Sequence, residues 1–170
     1  DIFWNHSNCS TVAEATAAVS AVDSSKNLTA YFAVGTHTNN SAANASGKPK
    51  IKRTKATAAY FKSLALDLDC GAGKPYPTKR DGLAALIKAL KTFDFSSPMV
   101  VDSGNGLHCY WPLTAEITAS VWETVSISLR LALRDGGVQI DESKIHDTSM
   151  VLRPPGSPAR PLYSVISALA

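Results

Sequence analysis

The sequence predicts an α/β fold, in finer terms an α+β domain with a mixed or antiparallel sheet, and three observations carry that prediction. Residues 61–69 alternate apolar and polar, residues 78–93 switch to a helical period, and residues 99–111 read as two short strands joined by a tight turn. A tight turn rules out the long crossover that a parallel pair would need, so at least part of the sheet is antiparallel. With 170 residues, 45% of them hydrophobic, the chain can bury a real core and falls within the size of one domain. We expect that single domain, residues 1–170, to form two lobes, an N-terminal one over about residues 1–60 and a motif-bearing one over about residues 61–160.

Composition narrows the function classes. A charged fraction of 18% and a mean hydropathy of −0.02 argue against wholesale disorder, and no apolar run approaches the roughly 18 residues of a membrane span, so no membrane partner is expected. Net charge is +3 and the pI is 8.8, short of the pI of roughly 9 that would mark a nucleic-acid-binding domain by itself. The placement of charge has to decide that question. The chain opens at Asp1 with neither an initiator methionine nor a basic-then-apolar leader, and reads as a fragment of a longer protein. Cys9, Cys70 and Cys109 are odd in number and lack a CxxC spacing, which argues against a disulfide framework and a zinc ribbon and makes a reduced cytoplasm the simplest setting.

Taken in order, Thr11 with Glu14 three residues on is the signature of a capping box opening an Ala-rich helix to about Val22. Residues 28–34 follow as a strand. Residues 36–47 are almost wholly Thr, Asn, Ser, Ala and Gly and predict a mobile loop, after which Lys48, Lys50, Lys52, Arg53 and Lys55 come with no acid among them. That cluster reads equally as a solvated loop or as a phosphate-contacting one. In the strand at 61–69, Leu64, Leu66 and Leu68 share one face, while Ser63, Ala65, Asp67 and Asp69 share the other. Leu83, Leu86, Ile87, Leu90 and Phe93 make the stripe of the next helix. Residues 99–102 and 107–111 are the hairpin strands, with Asn105-Gly106 supplying positive φ angles in the turn. Thr114 caps a helix to about Arg134, Gly136 and Gly137 end it, and residues 138–141 and 150–153 form a last strand pair before a Pro/Gly/Ser/Arg loop.

Three places could carry chemistry. Asp67 and Asp69, at i and i+2 on a strand, point the same way with Cα atoms about 6.6 Å apart, a spacing at which two carboxylates can share divalent ions. Mg²⁺ is usually held by one or two carboxylates plus substrate phosphates, so the pair suits a nucleotide enzyme; it equally suits two acids exposed to water. In Ser103-Gly104-Asn105-Gly106-Leu107-His108, small turn residues would let backbone N–H groups approach an anion, with His108 and Tyr110 on one face beyond. Finally, Val138-Gln139-Ile140 ends in Asp141, and Asp147 follows six residues on; either acid could complete a metal site, while Arg153 suits phosphate pairing.

In this order, the features resemble the archaeo-eukaryotic primase superfamily, most closely the primase-polymerase branch of phages and plasmids. The resemblance runs from about Tyr31 to Gly156 and is carried by Leu66-Asp67-Leu68-Asp69-Cys70-Gly71, Lys74-Pro75-Tyr76, Ser103 through Leu113, and Leu152-Arg153-Pro154-Pro155-Gly156-Ser157. It implies a two-lobed catalytic core with an RRM-like sheet and template-directed nucleotidyl transfer with Mg²⁺ or Mn²⁺. The implied partners are a single-stranded DNA template and dNTP or NTP substrates, with a helicase domain or protein as a further candidate. Asp67 and Asp69 would be metal ligands, His108 the nucleotide-phosphate contact and Asp141 the third acid, with Asp147 its rival. Ser103, Gly104, Gly106 and Arg153 would help to hold the triphosphate. After Gly156 the sequence departs from the pattern, reading Ser157-Pro158-Ala159-Arg160 where such proteins often continue Thr-x-Asn-x-Lys. Two other classes compete: a DxD metal-dependent glycosyltransferase, which leaves the SGNGLH turn and LRPPG segment unexplained, and a catalytically idle nucleotide- or single-stranded-DNA-binding module. A haloacid-dehalogenase-type phosphatase wants Thr or Val where Gly71 stands, and the scattered His6, His37, His108 and His146 do not suit a rolling-circle initiator.

Overall fold

The computed structural model describes residues 4–24, 28–38, 42–43, 49–50, 53–141, 147–157 and 162–168. These residues build a mixed α and β protein with three helices, divided into two compact units: Asp1–Phe61 with Thr148–Ala170, and Lys62–Asp147. Among the described residues no helix is long and apolar enough to cross a membrane.

The first unit holds a four-stranded sheet in the order β1 (Trp4–Cys9), β10 (Leu162–Ala168), β2 (Leu28–Ala33), β9 (Val151–Leu152). The first three strands run parallel and β9 is antiparallel to β2. Neither β1 nor β10 was expected. Trp-Asn-His-Ser-Asn-Cys shows no apolar alternation, and β10 completes its pairing with strands from the far end of the chain. Helix α1 (Val12–Asp23) begins where Thr11 places it, the Thr11 hydroxyl accepting from Glu14 N–H at 3.2 Å. The return bond is displaced by one residue: the Glu14 carboxylate accepts from Ser10 N–H at 2.7 Å. Ala15, Ala18 and Val19 pack on a small core of Cys9, Val22 and Ala30.

The segment expected to be a loop holds β3 (Gly35–His37) and β4 (Ala42–Ala43), the latter paired antiparallel with β5 (Pro49–Lys50). A buried contact fixes β3, His37 Nδ1 lying 3.1 Å from the hydroxyl of Thr57 at the end of a 3-10 turn over Lys55–Thr57. Lys48 and Lys52 lie outside the described residues.

Strand β6 (Ala58–Asp69) pairs with β3 at its start and then enters the second unit. There it lies beside β8 (Gly106–Thr118), and β8 lies beside β7 (Met99–Asp102). Contacts Lys62 to Thr114, Asp67 to His108 and Cys70 to Asn105 run in opposite chain order, so β6 and β8 are antiparallel. Strand β7 is antiparallel to β8, with Val101 opposite His108 and Asp102 opposite Leu107. Thus β6, helix α2 (Lys79–Thr92) and β7 form a β-α-β crossover with β8 inserted between its strands.

Helix α2 is capped reciprocally: the Thr78 hydroxyl accepts from Asp81 N–H, and the Asp81 carboxylate accepts from Thr78 N–H. Thr78→Ala should cost about 1 kcal/mol, measurable by urea denaturation. The buried face of α2 is Gly82, Leu86, Ala89 and Leu90, whereas Ile87 and Phe93 of the expected stripe are exposed. Small residues explain the rotation: Gly82 sits against Cys70 and Tyr76, where a bulkier stripe would not fit. The helix expected from Thr114 begins later, because β8 continues to Thr118 and α3 spans Ala119–Asp135.

Candidate active site

Strand β6 buries Leu64, Leu66 and Leu68 and leaves Asp67 and Asp69 partly accessible on its other face. Ala65, on the carboxylate face, is also buried. Beside it, Trp122 Nε1 donates to Ser63 O at 2.9 Å and Arg130 Nη2 donates to Ala65 O at 3.0 Å, so side chains of α3 satisfy carbonyls of this strand. The sheet's alternation therefore sets the direction of both acids, and the α3 side chains hold the strand at Ser63 and Ala65, just before Asp67.

Asp67 and Asp69 open onto a cleft of about 750 Å³ whose walls include Lys74, Arg134, Gln139 and Asp141. Lys74 Nζ lies 3.5 Å from Asp69 Oδ2. The opposite wall is built by the end of α3. Gly137 adopts φ +91°, its N–H donating to Arg134 O at 2.8 Å while Val138 N–H donates to Leu133 O at 2.9 Å. This is a Schellman ending, reinforced by burial of both Leu133 and Val138. Residues 138–141 form no strand; Gln139 N–H donates to the Tyr76 hydroxyl at 2.7 Å. Tyr76, 6% exposed, is bridged to Cys70 through its backbone while its hydroxyl holds Gln139, so one residue connects the end of β6 to the segment carrying Asp141. Burial raises the Tyr76 hydroxyl above its ordinary range, and it remains a neutral phenol there.

His108 is buried at 4% exposure in β8. Its Nε2 lies 3.8 Å from Asp67 Oδ1, and its Nδ1 lies 3.3 Å from the Tyr110 hydroxyl, the two rings meeting edge to face. Burial and the neighbouring Asp67 charge raise the Tyr110 phenol. Burial likewise lifts the Cys109 thiol to about 12, which leaves it an unreactive apolar filler.

The turn differs in detail from the expectation. The left-handed residue is Gly104, at φ +90°, not Asn105 or Gly106. Ser103 N–H donates to Gly106 O at 3.0 Å, and Gly104 N–H donates to Asp102 Oδ1 at 2.8 Å. These two amides close the turn on itself. Lys79 Nζ grips the same Asp102 carboxylate at 2.6 Å and 2.9 Å. The Lys79 hydrogen bond, then the Gly104 amide, holds the Asp102 carboxyl below its ordinary value of 3.8. A depressed folded value means that the clamp's stabilisation is complete above the ordinary value and is lost as pH falls through the lowered one. Lys79→Met should flatten that acid-side dependence, measured as melting temperature from about pH 6 down to about pH 2.

The structure thus gathers Asp67, Asp69 and Asp141 around one cleft and places His108 against Asp67. Ser103, Gly104, Gly106 and His108 do not line that cleft. Asp147 and Asp141 both act on the charge of Arg130, but only Asp141 lines the cleft. Arg153 belongs to the other unit, following β9. Sequence reasoning missed Arg130 and Arg134 as site residues. Arg130 could have been found as a charge on the apolar stripe of α3, whereas Arg134 carried no signal beyond a cation near a helix end.

Among the described residues no group of three or more His, Cys, Asp or Glu side chains is drawn close enough to hold a metal ion alone. Two carboxylates with hard oxygen donors, open to a cleft that also presents cations, nevertheless suit Mg²⁺ or Mn²⁺ completed by substrate phosphates. Comparison of the chain with protein-family models, with curated proteins and with solved structures finds no match.

Proposed function

We propose that the protein is a DNA primase-polymerase, joining nucleotides on a single-stranded DNA template by divalent-metal-dependent nucleotidyl transfer within an archaeo-eukaryotic primase-like core. The observation that supports this best is the mixed lining of the cleft: Asp67, Asp69 and Asp141 beside Lys74 and Arg134. Carboxylates alone would suit a cation, and cations alone an anion. Both together suit a metal-bound polyphosphate.

Asp67 and Asp69, with Asp141 across the cleft, would hold Mg²⁺ or Mn²⁺, which when bound supplies charge neutralisation at phosphate oxygens. Lys74 and Arg134 pair with the non-bridging oxygens of the triphosphate, so that charge is balanced as a primer 3′-hydroxyl displaces pyrophosphate. His108, buried and off the cleft lining, bears on the nucleotide through Asp67, which it supports from the strand beside it. His108→Ala should therefore weaken nucleotide binding; a dissociation constant and turnover equal to wild type would make the ring a packing element.

The deciding experiment is primer synthesis on unprimed single-stranded DNA, with dNTPs and NTPs supplied separately, alongside extension of a primed template. Incorporation in either format supports the reading. Turnover of a sugar nucleotide without incorporation would favour a DxD glycosyltransferase, and nucleotide binding without either reaction would favour an idle binding module.

Template binding has its own test. Each cation neutralising a phosphate of single-stranded DNA adds about 0.7 to the slope of log affinity against log salt. Replacing Lys50, Lys52, Arg53 and Lys55 together by alanine should weaken template binding at moderate salt and flatten that slope while sparing Mn²⁺ binding. An unaltered slope would place the template elsewhere, with Lys74, Lys79 and Arg80 as the next group to replace.

A further inference from the structure

Arg130 occupies a place that the pattern of α3 would give to an apolar residue. The helix buries Trp122, Ser126, Arg130 and Leu133, and Arg130 is only 2% exposed. Arginine is almost never so deeply buried unless acids or acceptors surround it. Its Nη2 is fixed on Ala65 O at 3.0 Å, two residues before Asp67 on the same strand. Burial pulls the pKa of the guanidinium down, and the charges of Asp147, Asp141 and Asp67, in that order, oppose the pull. A guanidinium keeps its proton inside a protein, so the charge persists and must be balanced where it sits. Asp67 and Asp141 come from distant stretches of chain and line the same cleft.

We propose that Arg130 is a positioning residue, its guanidinium held on the Ala65 carbonyl as a resident counter-charge, balanced also by Asp147, that keeps Asp67 and Asp141 gathered at the cleft. The inference deepens the nucleotidyl-transfer reading and rests on it in one respect, that Asp67 and Asp141 would also hold the divalent ion. A fixed positive charge beside metal ligands has two opposed effects: it keeps mutually repelling carboxylates close, and it competes with the ion for them. Losing it should loosen the empty protein and tighten ion binding.

The test compares melting temperature and Mn²⁺ affinity in wild type, Arg130→Met, Arg130→Lys and the double variant Arg130→Met/Asp147→Asn. Arg130→Met should lower the melting temperature by roughly 10 °C, as expected when one partner of a buried charge cluster is removed from a chain of this size. The double variant should regain at least half of that loss, because it removes one charge of each sign. Mn²⁺ should bind about tenfold more tightly to Arg130→Met and near the wild-type affinity to Arg130→Lys. A double variant no more stable than Arg130→Met would overturn the proposal, leaving the guanidinium as a cap on Ala65 O alone. Unchanged Mn²⁺ affinity in Arg130→Met would overturn it equally. If Arg130→Met does not fold, folding of the double variant supports the proposal and its failure to fold overturns it. If wild type takes up no Mn²⁺, the nucleotidyl-transfer reading falls, and the stability comparison still decides the role of Arg130.

Discussion

If the protein performs the proposed nucleotidyl transfer, Asp67→Ala should reduce nucleotide incorporation by about a thousandfold while leaving the protein folded. Charge stabilisation aimed at a reacting phosphate is commonly worth a factor of about 10²–10³ for one well-placed group, and Asp67 stands where three features of the site meet. It lines the cleft, it faces His108 at 3.8 Å and it contributes to the acidic surroundings of Arg130. Folding should survive because the side chain is only partly buried and the flanking Leu66 and Leu68 carry the packing of β6. Arg130 also keeps Asp141 and Asp147, the two acids that act on it more strongly. Incorporation of a labelled nucleotide into primed DNA, with circular dichroism melting as the folding control, checks both halves. Full activity in the variant, or in wild type treated with EDTA, would overturn the proposed metal-dependent nucleotidyl transfer.

The parts of this site that were legible in the sequence are those fixed by local periodicity and local chain chemistry. Alternation over β6 gives the common direction of Asp67 and Asp69, because side chains on a strand repeat every two residues whatever the sheet looks like. Thr11 mark the start of α1, and Gly137 with Gly136 the end of α3, through bonds that close within a few residues. What was not legible depends on partners far away in sequence. The parallel pairing of β1 with β10 joins opposite ends of the chain, and neither strand carries a pattern that names the other. Residues 138–141 read as a short apolar strand ending in Asp141, but the Gln139 N–H is held by the hydroxyl of Tyr76, some sixty residues earlier. The buried face of α2 was misjudged for a related reason: Gly82 and Ala89 are counted as weakly apolar by any periodicity, yet their small size decides which side of the helix can approach its neighbours. Gly82 meets Cys70 and Tyr76, and Ala89 meets Gly136.

Gly106→Ala should be the most damaging single-methyl substitution in the second unit. The sequence suggests that this glycine serves the turn through a positive φ, but its φ is not positive and Gly104 carries that requirement. Gly106 is needed for a different reason. A methyl group there would overlap the Leu68 carbonyl oxygen and would come within 3.2 Å of the Leu68 carbonyl carbon and 3.4 Å of Asp69 Cα. All of these are backbone atoms of β6, so no side chain can turn aside and one strand must move. Cys70 N–H donates to Asn105 O at 3.1 Å beside this point, and that bond should be the first to open. Overpacking of this kind typically costs about 1–3 kcal/mol, which urea denaturation would read as a lower midpoint. The larger effect should be on chemistry. Strands β6 and β8 carry Asp67 and His108 on facing positions, and a displacement of about 1 Å in a reacting constellation can lower turnover on the order of a hundredfold. Gly104→Ala provides the contrast: it strains a left-handed backbone in the turn, at about 1 kcal/mol, at a position outside both strands. The expected order is therefore a modest stability loss with activity largely kept for Gly104→Ala, and a stability loss with a collapse of turnover for Gly106→Ala. Equal activity in the two variants, compared at a temperature where both remain folded, would mean that the spacing of β6 and β8 at this point does not position the proposed catalytic groups.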